Sequence, residues 1–382
     1  MSGWVKVALG DVCEPVDRYV TPTAGISYRQ LGVRLWGEGA YEREPIDGAD
    51  TKYPKFTRIE AGDLVVNKIW ARNGSVAVAT EAQAGTHVSG EFPTFQLSVD
   101  RIDPGWMRLI TKWRGFWRLC DEKAQGTSGK NRIKPSQFLG IEVPLPLLAE
   151  QQAIVRQLDD LAGKVRQVNE HLNAIEDDAD RLLAARFAQI IAGTPMRVLA
   201  EVAPAVRRSV DVDVSTRYRE VGARSFGKGL FVKPDFDGAD ATWQKPVWIK
   251  EEDVVLSNIK AWEGAIAVAR AVHDGCIASH RYITLVPNPD AVTSDFIAFY
   301  LLSPKGLEQI GVASPGTADR NRTLSLTSLG RIEVPVPAID TQRSFDALCT
   351  KVAALKARHV AIRQANDALI PATLERVFSE AR

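Results

Sequence analysis

The chain repeats itself, and no fold that ignores the repeat is admissible. Sliding the sequence by 190 residues lays residues 28–79 on residues 218–269 without a gap, with 20 of 52 positions identical. The DGAD at Asp47–Asp50 recurs at Asp237–Asp240, and GTSGKNR at residues 126–132 meets GTADRNR at residues 316–322 with the same offset. IEVPLP at residues 141–146 meets IEVPVP at residues 332–337 with an offset of 191, half of the 382-residue chain. A period this long, unlike the ~20–50 residues of a solenoid, leaves each copy large enough to hold a core of its own. The architecture is therefore one unit used twice.

Each copy opens with short apolar alternation, Val5, Val7 and Leu9 in the first, and continues through turn-rich sequence. GDLVVNKI and NGSVAVAT read as two strands joined by a tight Asn-Gly turn, with Glu-Gly at the same turn of the second copy. A strand in EFPTFQLSV and an amphipathic helix near Trp106–Leu119 follow, the latter repeated at residues 294–310. The VPLP and VPVP segments are expected to be extended linkers, because proline is excluded from helices and central strands. After them Ile154, Leu158, Leu161, Val165, Val168, Leu172, Ile175 and Leu182 step by three and four, a heptad seam on a rod of roughly 60 Å. Its partner is sought in Phe345, Leu348, Val352, Leu355, Ile362 and Leu369, where the polar His359 and Asn366 interrupt the seam and are read either as register-setting residues or as a surface-facing rotation of the C-terminal helix. The divisions expected are residues 1–147 and 193–338 for mixed, mostly β domains, and residues 148–192 and 339–382 for long helices. The fold class is α+β.

Composition excludes several functions. No apolar run approaches the ~20 residues that span a bilayer, and the N-terminus lacks a signal-peptide core, so a cytoplasmic protein without a membrane partner is expected. The formal net charge of +1 is low for a nucleic-acid binder, so any such binding must come from local patches or be shared with a basic partner. Cys13, Cys120, Cys276 and Cys349 are far apart and read as small core residues. His87, His171, His273, His280 and His359 show no metal-ligand spacing. Gly37/Gly39 and Gly227/Gly229 lack the third glycine of a dinucleotide site and read as turns. No adjacent prolines, Walker loop, H-E-x-x-H or G-x-S-x-G occur, so no catalytic site is expected.

WVKVALGDVCE at residues 4–14, GDLVVNKIWARNGSVAVAT at residues 62–80, SGEFPTF at residues 89–95 and VPLPLLAEQQAIVRQLD at residues 143–159 resemble the specificity subunit of type I restriction-modification systems, across essentially the whole chain. The resemblance implies two target recognition domains in a tandem pseudo-two-fold repeat, each reading half of a split double-stranded DNA site. It implies long helices that pair as an antiparallel coiled coil and set the spacing of the domains. It also implies no catalysis and no cofactor in this chain. Two methyltransferase subunits carry S-adenosylmethionine, and restriction subunits complete the complex. At the second proline–helix junction AEQQAI gives way to IDTQRSF, with Gln342 retained.

DNA reading needs multi-donor side chains at base edges and cations at phosphates. The first hairpin offers Asn67, Lys68, Arg72 and Asn73, and the second offers Asn258, Lys260 and Trp262. The glycine-rich segments add Lys130, Asn131, Arg132 and Lys134 in the first copy and Arg320, Asn321 and Arg322 in the second. Asn131/Asn321 and Arg132/Arg322 are shared by the copies, which suits positioning contacts. Lys68/Asn258, Arg72/Trp262 and Asn73/Glu263 differ, which suits base selection. The same residues also suit solvated loop charges, and a coiled-coil scaffold that reads no DNA is the competing function.

Overall fold

The computed structural model describes residues 4–124, 132–241, 245–316 and 322–379. They fall into two compact units, Met1–Asn173 with His359–Arg382, and Ala174–Arg358. Each unit thus holds one globular copy and half of each long helix.

In the first unit the run Leu64–Val66 is a central strand buried on both faces. Leu64 and Val66 point into a core with Phe95, Trp106 and Phe116, while Val65 points the other way, to Leu31, Ile59 and Val88. Period-two alternation therefore sorts one continuous apolar run into two cores. The strand belongs to a four-stranded antiparallel sheet in the order Cys13–Pro15, Thr94–Leu97, Leu64–Val66, Val76–Val78. A five-stranded sheet covers its other side, in the order Tyr19–Val20, Phe56–Arg58, His87–Ser89, Ser27–Val33, Ala40–Asp47. The second unit repeats the sorting. Val254 and Leu256 enter the core of Phe296 and Tyr300, and Val255 joins Val221, Ile249 and Ala278.

Three local expectations need correction. The VPLP and VPVP segments are strands: Glu142–Leu145 pairs with Val5–Ala8, and Glu333–Pro335 with Met196–Val198. Each sits in a two-stranded ribbon with an open edge, where a missing proline N–H breaks no second ladder. The helix near Trp106–Leu119 is two helices, Pro104–Lys112 and Arg114–Lys123. Trp113 breaks it with extended backbone, its ring stacked on Phe378 at 5.0 Å and its indole N–H donated to Glu375 at 3.0 Å. Third, the tight Asn-Gly hairpin is a wider loop. Leu64–Val66 and Val76–Val78 pair as expected, but residues 67–75 between them contain a 3-10 turn at Ala71–Asn73 that closes on Gly74 at φ 76°.

The long helices run Leu148–Ile191 and Ile339–Ser379. Their halves pair antiparallel within each unit. In the first unit Asn366 donates to Asn169 at 3.1 Å and Arg363 to Asn173 at 2.8 Å. In the second, Lys356 meets Asp180 at 2.6 Å and the rings of Phe345 and Phe187 lie 5.3 Å apart.

The expected seam is only partly right. Leu158, Leu172, Phe345 and Val352 are buried, Ile154, Leu161 and Leu348 pack against the cores, and Val165 and Leu355 are half-buried. Val168, Ile175, Leu182, Ile362 and Leu369 are instead 40, 46, 55, 41 and 39% exposed. Beyond Val165, Leu172 and Ala179 the next inward residue lies four positions on, not three. This turns Asn169, Glu176 and Leu183 inward and leaves the apolar residue before each on the outer edge. Both spacings lie on one face of an α-helix, so the partner and not the sequence selects between them. His359 is 4% exposed, in agreement with a polar seam position.

One carboxylate in the second seam is poorly placed. Asp346 stands where the first copy has Val155, and one of its oxygens is buried with no hydrogen-bond partner among the described residues. Burial pushes its carboxyl up to about 6; Asp295 and Glu252 push the same way, against a hydrogen bond with Thr293 and the nearby Arg270. A raised folded value means that the protonated form is favoured by folding. The group is harmless below its unfolded value, and the penalty grows as pH rises from ~4 through about 6. Asp346→Asn is expected to stabilise the protein by about 1–2 kcal/mol at pH 7.5, a figure reduced for partial exposure, with the gain vanishing near pH 4. Thermal unfolding of both proteins across this range measures it.

Candidate nucleic-acid interface

In each copy the turn after one strand is zipped to the loop nominated for DNA reading. Trp36 N–H donates to Asn73 O at 2.7 Å and Gly37 N–H to Gly74 O at 3.1 Å; Phe226 donates to Glu263 O at 2.8 Å and Gly227 to Gly264 O at 2.9 Å. Close approach requires glycine at residue 74, where an added Cβ would lie 2.8 Å from the Gly37 nitrogen. The Gly-x-Gly pairs are turns, with all four glycines at positive φ. Trp36 and Phe226, between those glycines and the preceding strands, also have positive φ, 59° and 62°, and are 57 and 76% exposed. The Trp36 ring is tilted on Trp117 at 5.9 Å, and the Phe226 ring has Lys228 5.9 Å from its centroid, so large apolar side chains are presented largely to solvent from left-handed backbone. The aromatic-Gly-x-Gly recurrence was the available signal, and it was read only as a turn.

The structure brings the two nominated loops of the first copy together. Ile133 N–H donates to Lys68 O at 2.9 Å, and Lys68 N–H donates to Glu91 O at 3.2 Å. The second copy repeats both bonds, Leu324 to Asn258 O at 2.6 Å and Asn258 to Arg281 O at 2.8 Å. A third segment, at Gly90–Glu91 and His280–Arg281, therefore belongs to the cluster, and sequence reasoning missed it.

Most nominated side chains are already engaged. Asn67 forms its turn, its Oδ1 accepting from the N–H groups of Ile69 and Trp70 at 3.1 and 3.3 Å. Lys68 Nζ donates to Gly90 O at 2.5 Å. Arg72 lies 4.0 Å from Asp121 on the wall of an open groove of about 1230 Å³ that Trp36 and Trp117 also line. Asn73 contributes its carbonyl to the zipped turn. Arg132 meets the Glu91 carboxylate at 3.2 Å, and Lys134 is exposed.

In the second copy Lys260 pairs with Glu263 at 2.6 Å and holds that carboxyl below its usual range. The Trp262 ring has Lys260 5.3 Å and Arg322 4.7 Å from its centroid, and Arg322 also donates to Gly311 O at 2.9 Å. Asn258 is half-buried, its Oδ1 without a described partner. Arg132 and Arg322 have different surroundings: one is held by an acid and the other by an aromatic face. Lys130, Asn131, Arg320 and Asn321 lie outside the described residues. Among the described residues no three His, Cys, Asp or Glu side chains are grouped to hold a metal, and no helix is long and apolar enough to cross a membrane.

Comparisons with known proteins agree with this picture. Residues 1–177 match the model of the type I restriction modification DNA specificity domain. The type I restriction enzyme StySPI specificity subunit of Salmonella potsdam is 32% identical over 93 residues, 24% of this chain and only 20% of that relative's length. The fold matches the HsdS subunit from Thermoanaerobacter tengcongensis with a TM-score of 0.62 at 20% identity, covering 99% of this chain and 97% of the other. A chain from a structural study of complex assembly and conformational transition of the type I R-M system matches with a TM-score of 0.67 at 19% identity, over 99 and 98%. Residues 1–177 are therefore similar to the type I restriction modification DNA specificity domain, and the chain as a whole shares the fold of these two solved chains.

Proposed function

We propose that the chain is the non-catalytic DNA-specificity subunit of a type I restriction-modification complex, acting in the cytoplasm on double-stranded DNA. The observation that carries this reading is the repeated interface: two units share the same zipped loops and backbone bonds, while the side chains exposed on them differ. A shared frame suits one docking geometry, and different side chains suit two different half-sites. Catalysis would belong to two methyltransferase subunits holding S-adenosylmethionine, and to restriction subunits where present.

The long helices support the partner assignment. Each unit leaves apolar side chains outside its seam, Val168, Ile362 and Leu369 in the first and Ile175 and Leu182 in the second. In an antiparallel pair the positions just before the inward ones line a common side, which widens the apolar stripe beyond what two helices need and fits added helices from a partner.

The test is to assemble the chain with its methyltransferase partner and sequence the methylated bases of a host genome. Methylation is expected at an asymmetric split motif, with binding that weakens steeply as salt rises. A palindromic motif would overturn the assignment of different targets to the two copies, and loss of sequence preference would overturn the reading itself.

A further inference from the structure

Position 91 of the first copy and position 281 of the second carry opposite charges at the same place in the fold. The place is fixed by the backbone, since Glu91 O accepts from Lys68 N–H as Arg281 O accepts from Asn258 N–H. Their surroundings differ in a consistent way. Of the three cations that converge in the second copy, Lys260 is held by Glu263 and Trp262, and Arg322 by Trp262 and Gly311. Arg281 is exposed, and its guanidinium has no hydrogen bond or ion pair among the described residues. In the first copy the same position supplies an acceptor, Glu91, whose side chain is partly exposed; its Oε2 is buried and its Oε1 accepts from Arg132 at 3.3 Å, which orients the carboxylate and leaves it further lone pairs to accept with.

We propose that residues 91 and 281 are the base-selecting position of their respective copies, Arg281 donating to guanine and Glu91 accepting from the amino group of cytosine. A guanidinium offers the two parallel donors that match guanine O6 and N7, and a carboxylate accepts from cytosine N4. The cations held inside the clusters cannot do this without breaking the contacts that fix them. The inference rests on the DNA-specificity reading and sharpens it to one residue per half-site.

The experiment uses the full chain assembled with its methyltransferase partner. Wild-type, Arg281→Lys, Arg281→Ala and Glu91→Gln complexes are compared by methylated-motif sequencing, and by competition binding on duplexes substituted base by base. Wild-type protein with no sequence preference defeats the DNA-specificity reading, independently of these substitutions. Given a wild-type motif, Arg281→Lys and Arg281→Ala are both expected to relax one position of one half-site by about 10- to 100-fold, leaving the other half intact. Glu91→Gln relaxes one position of the other half. If Arg281→Lys keeps the motif, or Arg281→Ala weakens all duplexes uniformly with a shallower salt slope, residue 281 is a phosphate contact and the proposal fails. Unchanged discrimination in Glu91→Gln defeats its first-copy half.

Discussion

Gln342→Ala is expected to lower the unfolding temperature by about 10 °C, and Gln151→Ala by a similar amount. Both glutamines are fully buried in the first turns of the long helices. The Gln342 amide accepts from Thr293 N–H at 3.0 Å and donates to Ala291 O at 3.0 Å and Pro337 O at 2.8 Å. Gln151 repeats the pattern, accepting from Asp103 N–H at 2.8 Å and donating to Arg101 O at 3.0 Å and Pro146 O at 2.9 Å. One side chain thus ties each long helix both to the strand before it and to the loop that starts a domain helix. Alanine strands a backbone donor and two carbonyls away from water, at about 1–3 kcal/mol for each group that stays unsatisfied. Relaxation will recover part of this, leaving about 3–5 kcal/mol, and a unit of this size loses roughly 2–4 °C per kcal/mol. Gln342→Glu keeps the acceptor but removes both donations, so it should not rescue. Calorimetric unfolding decides the matter, and a shift under 2 °C would refute the staple.

The staple shows where the sequence was legible and where it stopped being so. Gln342 stood out in the altered junction IDTQRSF, but only as the residue retained there. Nothing within a few residues announces that its amide is enclosed by loops about fifty positions earlier. What repetition and short-range pattern encode was readable: the two copies, the Gly-x-Gly turns, the apolar runs at Leu64–Val66 and Val254–Ser257, and the long helices. The exact seam was not, because steps of three and four both lie on one helix face and the partner helix makes the choice, turning the polar Asn169 and Glu176 inward and leaving Val168 and Ile175 exposed. The interface was half legible for the same reason. Arg132 and Arg72 were correctly placed on loops, but their acids, Glu91 and Asp121, are 41 and 49 residues away, so their engagement could only be seen in three dimensions. Residues 294–310 were read as one helical piece although Pro304 marks the break at Ser303 between Ser294–Leu302 and Pro304–Val312, whereas the equivalent break at Trp113 depends on packing against Phe378.

Arg208→Ala is the second large effect expected, about 3–5 kcal/mol, because it leaves a carboxylate buried without its counter-charge. Asp253 is 2% exposed and accepts from both terminal nitrogens of Arg208, at 2.7 and 3.0 Å, and from Lys250 N–H at 2.9 Å. Arg18 and Asp63 form the same pair in the first copy, with Glu60 N–H donating at 2.7 Å in place of Lys250. Asp253→Ala should cost less, since the guanidinium it abandons is a quarter exposed and can turn to water, whereas Lys250 N–H loses its acceptor. The double variant Arg208→Ala/Asp253→Ala removes the uncompensated charge and should recover a large part of the loss. A denaturant-unfolding cycle over the four proteins measures the coupling, and additive effects would show that the pair is incidental. The consequence reaches the interface, because this pair fixes the turn immediately before Val254–Ser257, the strand that leads into Asn258. A loosened turn would shift Asn258, and with it the carbonyl of Arg281 to which its N–H is bonded, so on the DNA-specificity reading proposed above Arg208→Ala should weaken base discrimination in the second copy before it abolishes folding.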